Sequence, residues 1–177
     1  MPVGDGGGDA VTRVYIPATI ESLTRLVEDR RLDPMSRTAF AVTPTLREAY
    51  ASGDDEELEA VAMAEAARAS LRLLAAKEGE DGVRFRRAVI AADVADVTVR
   101  PDLDDAVVRL AGPVSIDEVA SVHVDLEAAE PDIERAVAVV DEADLGDPEA
   151  EFVLGDAEDH PLAWYATQEL PFLLELL

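Results

Sequence analysis

The stretch Ser52-Gly-Asp-Asp-Glu-Glu-Leu-Glu-Ala-Val-Ala-Met-Ala-Glu-Ala-Ala-Arg-Ala-Ser-Leu-Arg-Leu-Leu-Ala-Ala-Lys-Glu-Gly79 organises the reading of the whole chain. It reads as one long helix. Asp54 is placed to cap it, Asp55, Glu56 and Glu57 suit the positive end of its dipole, and Gly79 can take a left-handed conformation beyond its end. At about 100° per residue its apolar side chains fall into two stripes. Leu58, Ala62, Ala69 and Leu73 form one; Ala60, Met63, Ala64, Ala67, Leu71 and Leu74 form the other. A charged seam of Glu57, Glu65, Arg68 and Arg72 runs between them, with Glu65 and Arg68 an i,i+3 pair of opposite sign. Two stripes predict a helix covered on two sides, and the alanines let its neighbours come close.

Upstream, Val11–Ile16 reads as a strand broken by Pro17, and Thr19 caps a helix carrying Ile20, Leu23 and Val27. Thr38–Val42 is a short strand, and Thr43-Pro44 is a cap followed by proline at the first helical position. Downstream, Arg84–Val94 reads as a strand apolar enough for a central position, with Arg84 and Arg86 sharing a face where it enters. A turn-rich connection with a short edge strand at Val97–Arg100 leads to a strand at Ala106–Leu110. Ser115 caps a short helix, Ser121–Leu126 alternates as a strand, and Pro131 opens a helix stopped by Gly146. A last helix is expected from Pro161 through Trp164 and Leu170 to Pro171.

Arg13-Val-Tyr-Ile-Pro-Ala-Thr-Ile-Glu-Ser-Leu23 aligns without gaps on Arg109-Leu-Ala-Gly-Pro-Val-Ser-Ile-Asp-Glu-Val119. This internal repeat implies two related β-α-β-α halves, roughly 11–94 and 105–177, of one domain that follows a flexible Gly-rich leader at 1–10. A helical crossover between neighbouring strands favours parallel pairing. The expected fold is therefore α/β, with a mixed, mostly parallel sheet of about five strands. The alternative is a ferredoxin-like α+β fold with antiparallel pairing between the halves.

Composition narrows the classes of function. The chain has 177 residues and no cysteine, which excludes thiol catalysis, a cysteine-held zinc and disulfides. No apolar run approaches a membrane span and no charged-then-apolar leader opens the sequence, so a soluble, cytoplasmic protein is expected. Net charge is −24, unevenly placed: Leu110–Leu177 holds 18 acids against one base, Arg135. Such a field repels nucleic acid and anionic membrane and favours a basic protein surface as partner. Fourteen arginines against one lysine also fit adaptation of composition to salt or to a GC-rich background. No cofactor fingerprint is present: the leader glycines precede the first strand rather than follow one. The oligomeric state is not legible.

The strings Arg13-Val-Tyr-Ile-Pro-Ala-Thr19, Ala39-Phe-Ala-Val-Thr-Pro44, Gly155-Asp-Ala-Glu-Asp-His160 and Trp164-Tyr-Ala-Thr-Gln-Glu-Leu170 carry a resemblance. The chain resembles a group of uncharacterised actinobacterial proteins sharing a domain of unknown function, over roughly residues 12 to 171. The resemblance implies a bacterial, cytoplasmic protein and brings no activity, cofactor or ligand with it.

Four sets of residues are candidates for a site. Thr19, Thr43, Thr45 and Ser115, with Arg47 near, stand at strand-to-helix loops, where α/β sheets gather ligands and helix N-termini attract anions. Capping alone also explains these hydroxyls. Asp156, Glu158, Asp159 and His160 crowd enough oxygen to hold a hard cation, or simply start an acidic helix. His123 and Asp125 project from one face of a strand, either as an acid–base pair or as hydrogen-bonded structure. Trp164, Tyr165 and Phe172, with the apolar tail after Pro171, are a partner site if exposed and part of the core if docked. No hydrolase, metalloprotease or nucleotide-loop pattern is present. The expectation is a non-enzymatic acidic binding or adaptor protein for a basic partner, with a small-molecule site or enzyme at the strand-to-helix loops as the alternative.

Overall fold

A computed structural model describes residues 11–50, 52–77 and 79–177; the leader at 1–10 lies outside the described residues. The strands are β1 (Thr12–Ala18), β2 (Arg31–Leu32), β3 (Thr38–Phe40), β4 (Ala88–Val94), β5 (Thr98–Val99), β6 (Val107–Arg109), β7 (Val114–Ser115), β8 (Val119–Val124) and β9 (Ala163–Ala166). The helices are α1 (Ile20–Asp29), α2 (Pro44–Ala49), α3 (Asp55–Ala75), α4 (Glu130–Asp144), α5 (Pro148–Glu158) and α6 (Leu170–Leu176).

Seven strands form one sheet in the order β5-β6-β3-β1-β4-β8-β9, and every neighbouring pair is antiparallel. Strands β2 and β7 make a separate two-stranded ladder. The expected five-stranded, mostly parallel sheet is therefore wrong, and the physical reason lies in the connections. Crossover logic assumes that a helix returns the chain once across the sheet. After α1 the chain turns at Arg30 (φ 60°) and runs on through β2 before β3 begins. Segment 30–37, made of β2 and a 3-10 turn at Met35–Arg37, carries the chain back across the sheet, so β3 starts from the opposite end and runs antiparallel to β1. After β8 two helices follow in succession, and an even number of helical passes returns the chain to the end it left. The α2–α3 crossover does join strands of equal direction, since β3 and β4 are both antiparallel to β1; but β1 lies between them. The ferredoxin-like alternative also fails, because helices stand where that fold has its central hairpin.

The two copies of the internal repeat diverge. Thr19 opens a ten-residue helix, whereas Ser115 opens a single 3-10 turn, Ile116–Glu118. What the repeat preserves is the capping box, made by Ser22 in one copy and Glu118 in the other.

Both faces of the sheet are buried at its centre. On one face Val14, Ile16, Ile90, Val122 and Val124 pack against Leu23 and Leu26 of α1 and Leu170 and Leu173 of α6. On the other, Tyr15, Phe40, Val89 and Ala91 pack against Leu46 of α2 and Leu58, Ala62, Ala66 and Ala67 of α3. Helix α3 begins where its sequence says, with the Asp54 side chain accepting from Glu57 N–H. Its two neighbours follow one another along the axis instead of lying on opposite sides. The first half covers the sheet, and Leu71 and Leu74 in the second half pack with Ile133, Val137 and Leu154 of α4 and α5. Ala69 and Leu73 of one expected stripe are half-buried, and Ala60 and Ala64 of the other are exposed. The buried residues Leu58, Ala62, Ala67, Leu71 and Leu74 draw on both stripes, so α3 buries one face and is not covered on two sides. Ser70, fully buried, ties the layers: its Oγ donates to Ala18 O (2.7 Å) and accepts from Ala88 N–H (3.1 Å). The expected helix at 161–171 is instead strand β9, a 3-10 turn at Thr167–Glu169 and then α6. No helix among the described residues is long and apolar enough to cross a membrane.

Candidate functional site

The loop hydroxyls are used locally. Thr19 Oγ1 accepts from Ser22 N–H (3.1 Å), Thr43 Oγ1 accepts from Leu46 N–H (3.0 Å) and donates to Asp105 O, and Ser115 Oγ accepts from Asp117 N–H (3.1 Å). Arg47 pairs with Asp55 at 2.7 Å. These residues stand at different strand ends and are not gathered into one site. Asp156, Glu158 and Asp159 are exposed around the end of α5, while His160 Nε2 lies 2.7 Å from Asp132 Oδ2. Among the described residues no group of three His, Asp or Glu side chains is placed to hold a metal ion.

One end of β4 and β8 behaves differently. Asp125 has no solvent exposure and is held by Arg87, whose main-chain N–H (2.8 Å), Nε (2.8 Å) and Nη2 (2.7 Å) all donate to its carboxylate. Nη2 also donates to His160 O at 2.8 Å. His123 and Asp125 are therefore not a working pair, because the arginine consumes the carboxylate. The His123 ring meets Ser121 Oγ at 3.0 Å through Nε2 instead. Burial, aided by the charge of Arg13, holds His123 below its ordinary pKa, so the ring is neutral at pH 7.

These groups open on a hollow of about 500 Å³, within the ordinary range for small-molecule sites. Ala60, Met63, Ala64, Ala67, Arg68 and Leu71 of α3 form one wall; Arg87, His123, Leu162, Glu158 and His160 complete it. The hollow exists because α3 covers β1 and β4 but stops short of the sheet edge at β8 and β9. The alanines facing that edge leave the space unfilled. Two guanidinium groups reach it with part of their hydrogen-bonding capacity unused. Arg87 Nη1 has no partner among the described residues, although the side chain is only 5 % exposed. Arg68 spends Nε and Nη2 on Asp144 (3.1 and 3.0 Å) and Nη2 on Glu151 (2.6 Å), leaving Nη1 likewise without one. Trp164, 61 % exposed, stands directly across from His123 in the β8–β9 register. Tyr165 faces the opposite, buried layer, and Phe172 projects outward from α6 while Leu170 and Leu173 dock in the core.

Of the residues lining the hollow, His123, Glu158 and His160 were candidates in the sequence, whereas Arg87 and Arg68 were not, nor was Ser121, which bonds His123. A signal for Arg87 existed: it directly precedes the wholly apolar Ala88–Ala92, and a charge at the mouth of a buried strand needs a partner.

The fold and the hollow together define a three-layer α/β protein with an amphiphilic pocket at one sheet edge. The chain belongs to DUF6912, a family of unknown function whose model matches residues 12–174. No curated protein and no solved structure matches the chain.

Proposed function

We propose that this chain is a binding protein that takes a small molecule, reversibly and without chemistry, in the hollow between α3 and β8. The observation that carries this reading is Arg87. A buried guanidinium, fixed by Asp125 and His160 O, presents an unspent donor to an open, mostly apolar hollow. Folding needs the Arg87–Asp125 bonds; it has no use for the remaining donor. Catalysis has less support. The Ser121–His123 contact offers a hydroxyl and a neutral base, but the other ring nitrogen has no carboxylate among the described residues to orient it.

A thermal-shift screen of metabolites tests the reading, because ligand binding raises stability with the logarithm of occupancy. Ala64→Phe supplies the control: Ala64 is exposed on α3, so phenylalanine fills the hollow without disturbing the core. Hits that stabilise the parent chain and leave Ala64→Phe unmoved are expected. Hits that shift both alike would remove the proposal.

A second reading keeps the basic protein partner. It is favoured by the α4–α5 hairpin, where Leu145 (89 % exposed) and Phe152 (76 % exposed) stand in solvent on elements carrying Asp141, Glu142, Asp147 and Glu149. The only base of Leu110–Leu177, Arg135, is already paired with Asp132. Capture of partners from lysate that weakens with salt and with Phe152→Ser is the expected result; salt-independent capture would count against it.

A further inference from the structure

Resting on the ligand-binding reading above, we propose that the ligand is an amphiphilic carboxylate. Its head meets Arg87 and Arg68, and its apolar body lies along α3 toward Ala60. The hydrogen-bonding inventory sets the polarity of the head. A guanidinium has donors and no acceptor, so the two unused Nη1 groups call for acceptor atoms. Among the described residues Glu158 is the sole carboxylate lining the hollow, and it is exposed at the edge rather than bonded to either arginine. A ligand amine would therefore meet donors and no acceptor at the arginine end.

Charge sets the size of the head. Asp125 neutralises most of Arg87, and Asp144 and Glu151 do the same for Arg68. Arg68, Arg72 and Arg87 are balanced by Asp125, Asp144 and Glu151, so this end of the hollow offers unspent donors with little net charge, which suits no more than one negative charge on the head. A phosphate dianion would leave charge uncompensated in a half-enclosed site, in a chain whose net charge is already −24. Both arginines are held by their own acid partners before any ligand arrives, so little side-chain freedom is lost on binding.

The body follows from the wall. Ala60, Met63, Ala64, Ala67 and Leu71, with Leu162 opposite, offer no polar side-chain group. From Arg68 back to Ala60 the helix spans about 12 Å, room for a medium-length alkyl chain or a fused aromatic body. Met63 can adapt to either. His123 stands on the sheet side with its uncharged ring, and its cross-strand neighbour Trp164 gives the hollow an optical reporter, being the one tryptophan of the chain.

The test uses the full chain and three probes of one length: decanoate, decanol and decylamine. Titration is followed by Trp164 emission and by calorimetry. Decanoate is expected to saturate one site, decanol to bind about ten-fold more weakly through loss of the charge-assisted bonds, and decylamine not to bind. Ala64→Phe abolishes decanoate binding. Arg68→Gln weakens it about ten-fold while the chain stays folded, because Arg72 still holds Asp144. Decanol binding as tightly as decanoate would overturn the carboxylate while leaving the pocket in place. So would a screening hit that Ala64→Phe abolishes, together with no response to decanoate. Decanoate binding that survives both variants would overturn the carboxylate proposal and the pocket reading together.

Discussion

Replacing Asp125 by alanine should be among the most damaging single changes available in this chain. The carboxylate is fully buried and receives three bonds from Arg87, which is itself 5 % exposed at the side chain. Removing one partner of a buried ion pair strands the other charge, a loss of about 3–5 kcal/mol. Against a total stability of about 5–15 kcal/mol that is a large share. With a urea m-value of about 2 kcal/mol/M, the unfolding midpoint falls by roughly 1.5–2.5 M. Asp93→Ala is the control. Its bond to Arg13 is as short, 2.7 Å, but both side chains are about two-fifths exposed, so roughly 0–1 kcal/mol is expected. Arg87→Met combined with Asp125→Leu is the complementary variant. Replacing both charges removes the stranded cation, yet the buried Arg87 N–H loses its acceptor, a penalty of about 1–3 kcal/mol. The double variant should therefore recover part, though not all, of the single loss. If Asp125→Ala is no worse than Asp93→Ala, or the double variant no better than Asp125→Ala, burial of this pair does not govern stability as argued.

Leu71→Ala should cost about 2–5 kcal/mol because Leu71 is 1 % exposed between α3, α4 and α5, whereas Arg72→Ala should cost roughly 0–1 kcal/mol since Asp144 keeps Arg68; urea midpoints of the two variants decide it. Burial and then Arg13 depress the His123 pKa, so the unfolded chain takes up this proton first as pH falls. Stability is therefore lost from about pH 6.5 down to the lower folded value, and His123→Gln should flatten urea midpoints across that window. The carboxylates Asp144 and Glu130, held low by Arg72 and Arg86, lose their contribution only in stronger acid and do not mask the effect. Burial raises the Glu65 pKa, so its ionisation weakens the fold as pH rises past about 4.3; Glu65→Gln should be more stable than the parent at neutral pH, and an equal or lower midpoint would refute it.

Local chemistry was readable because it is decided by a few neighbouring residues. Asp54 starting α3, Thr19 and Ser115 closing capping boxes, Thr43 capping α2, and the apolar centre of β4 all stand where the sequence places them. Strand direction was not readable, because it depends on how often the chain recrosses the sheet. Two residues of β2 and one additional helix, α5, are enough to reverse it. Strand β9 escaped for a related reason. Ala-Trp-Tyr-Ala is too short for periodicity to separate strand from helix, and only its ladder to β8 makes it a strand. For the site, His123 could be singled out by residue type, but its sequence neighbour Asp125 suggested the wrong partner. The true partner of that carboxylate, Arg87, is distant in sequence and meets it only through the β4–β8 register.

The pocket and the acidic α4–α5 hairpin are joined by one residue. Asp144 closes α4, at the negative end of that helix's dipole, where a carboxylate is unfavourable. Its pKa is nevertheless held low, because Arg72 (2.7 Å) and Arg68 (3.0 Å) both donate to it from α3. The arginines thus outweigh the dipole, and in doing so they pin the hairpin to the helix that walls the hollow. Arg68 also lines that hollow, so its orientation toward a ligand depends on Asp144 and Glu151 remaining in place. A partner that competed for Asp144 or Glu151 would release Arg68 and loosen the polar end of the pocket. In this chain the acidic surface and the pocket share a wall, so neither can be perturbed by charge without the other responding.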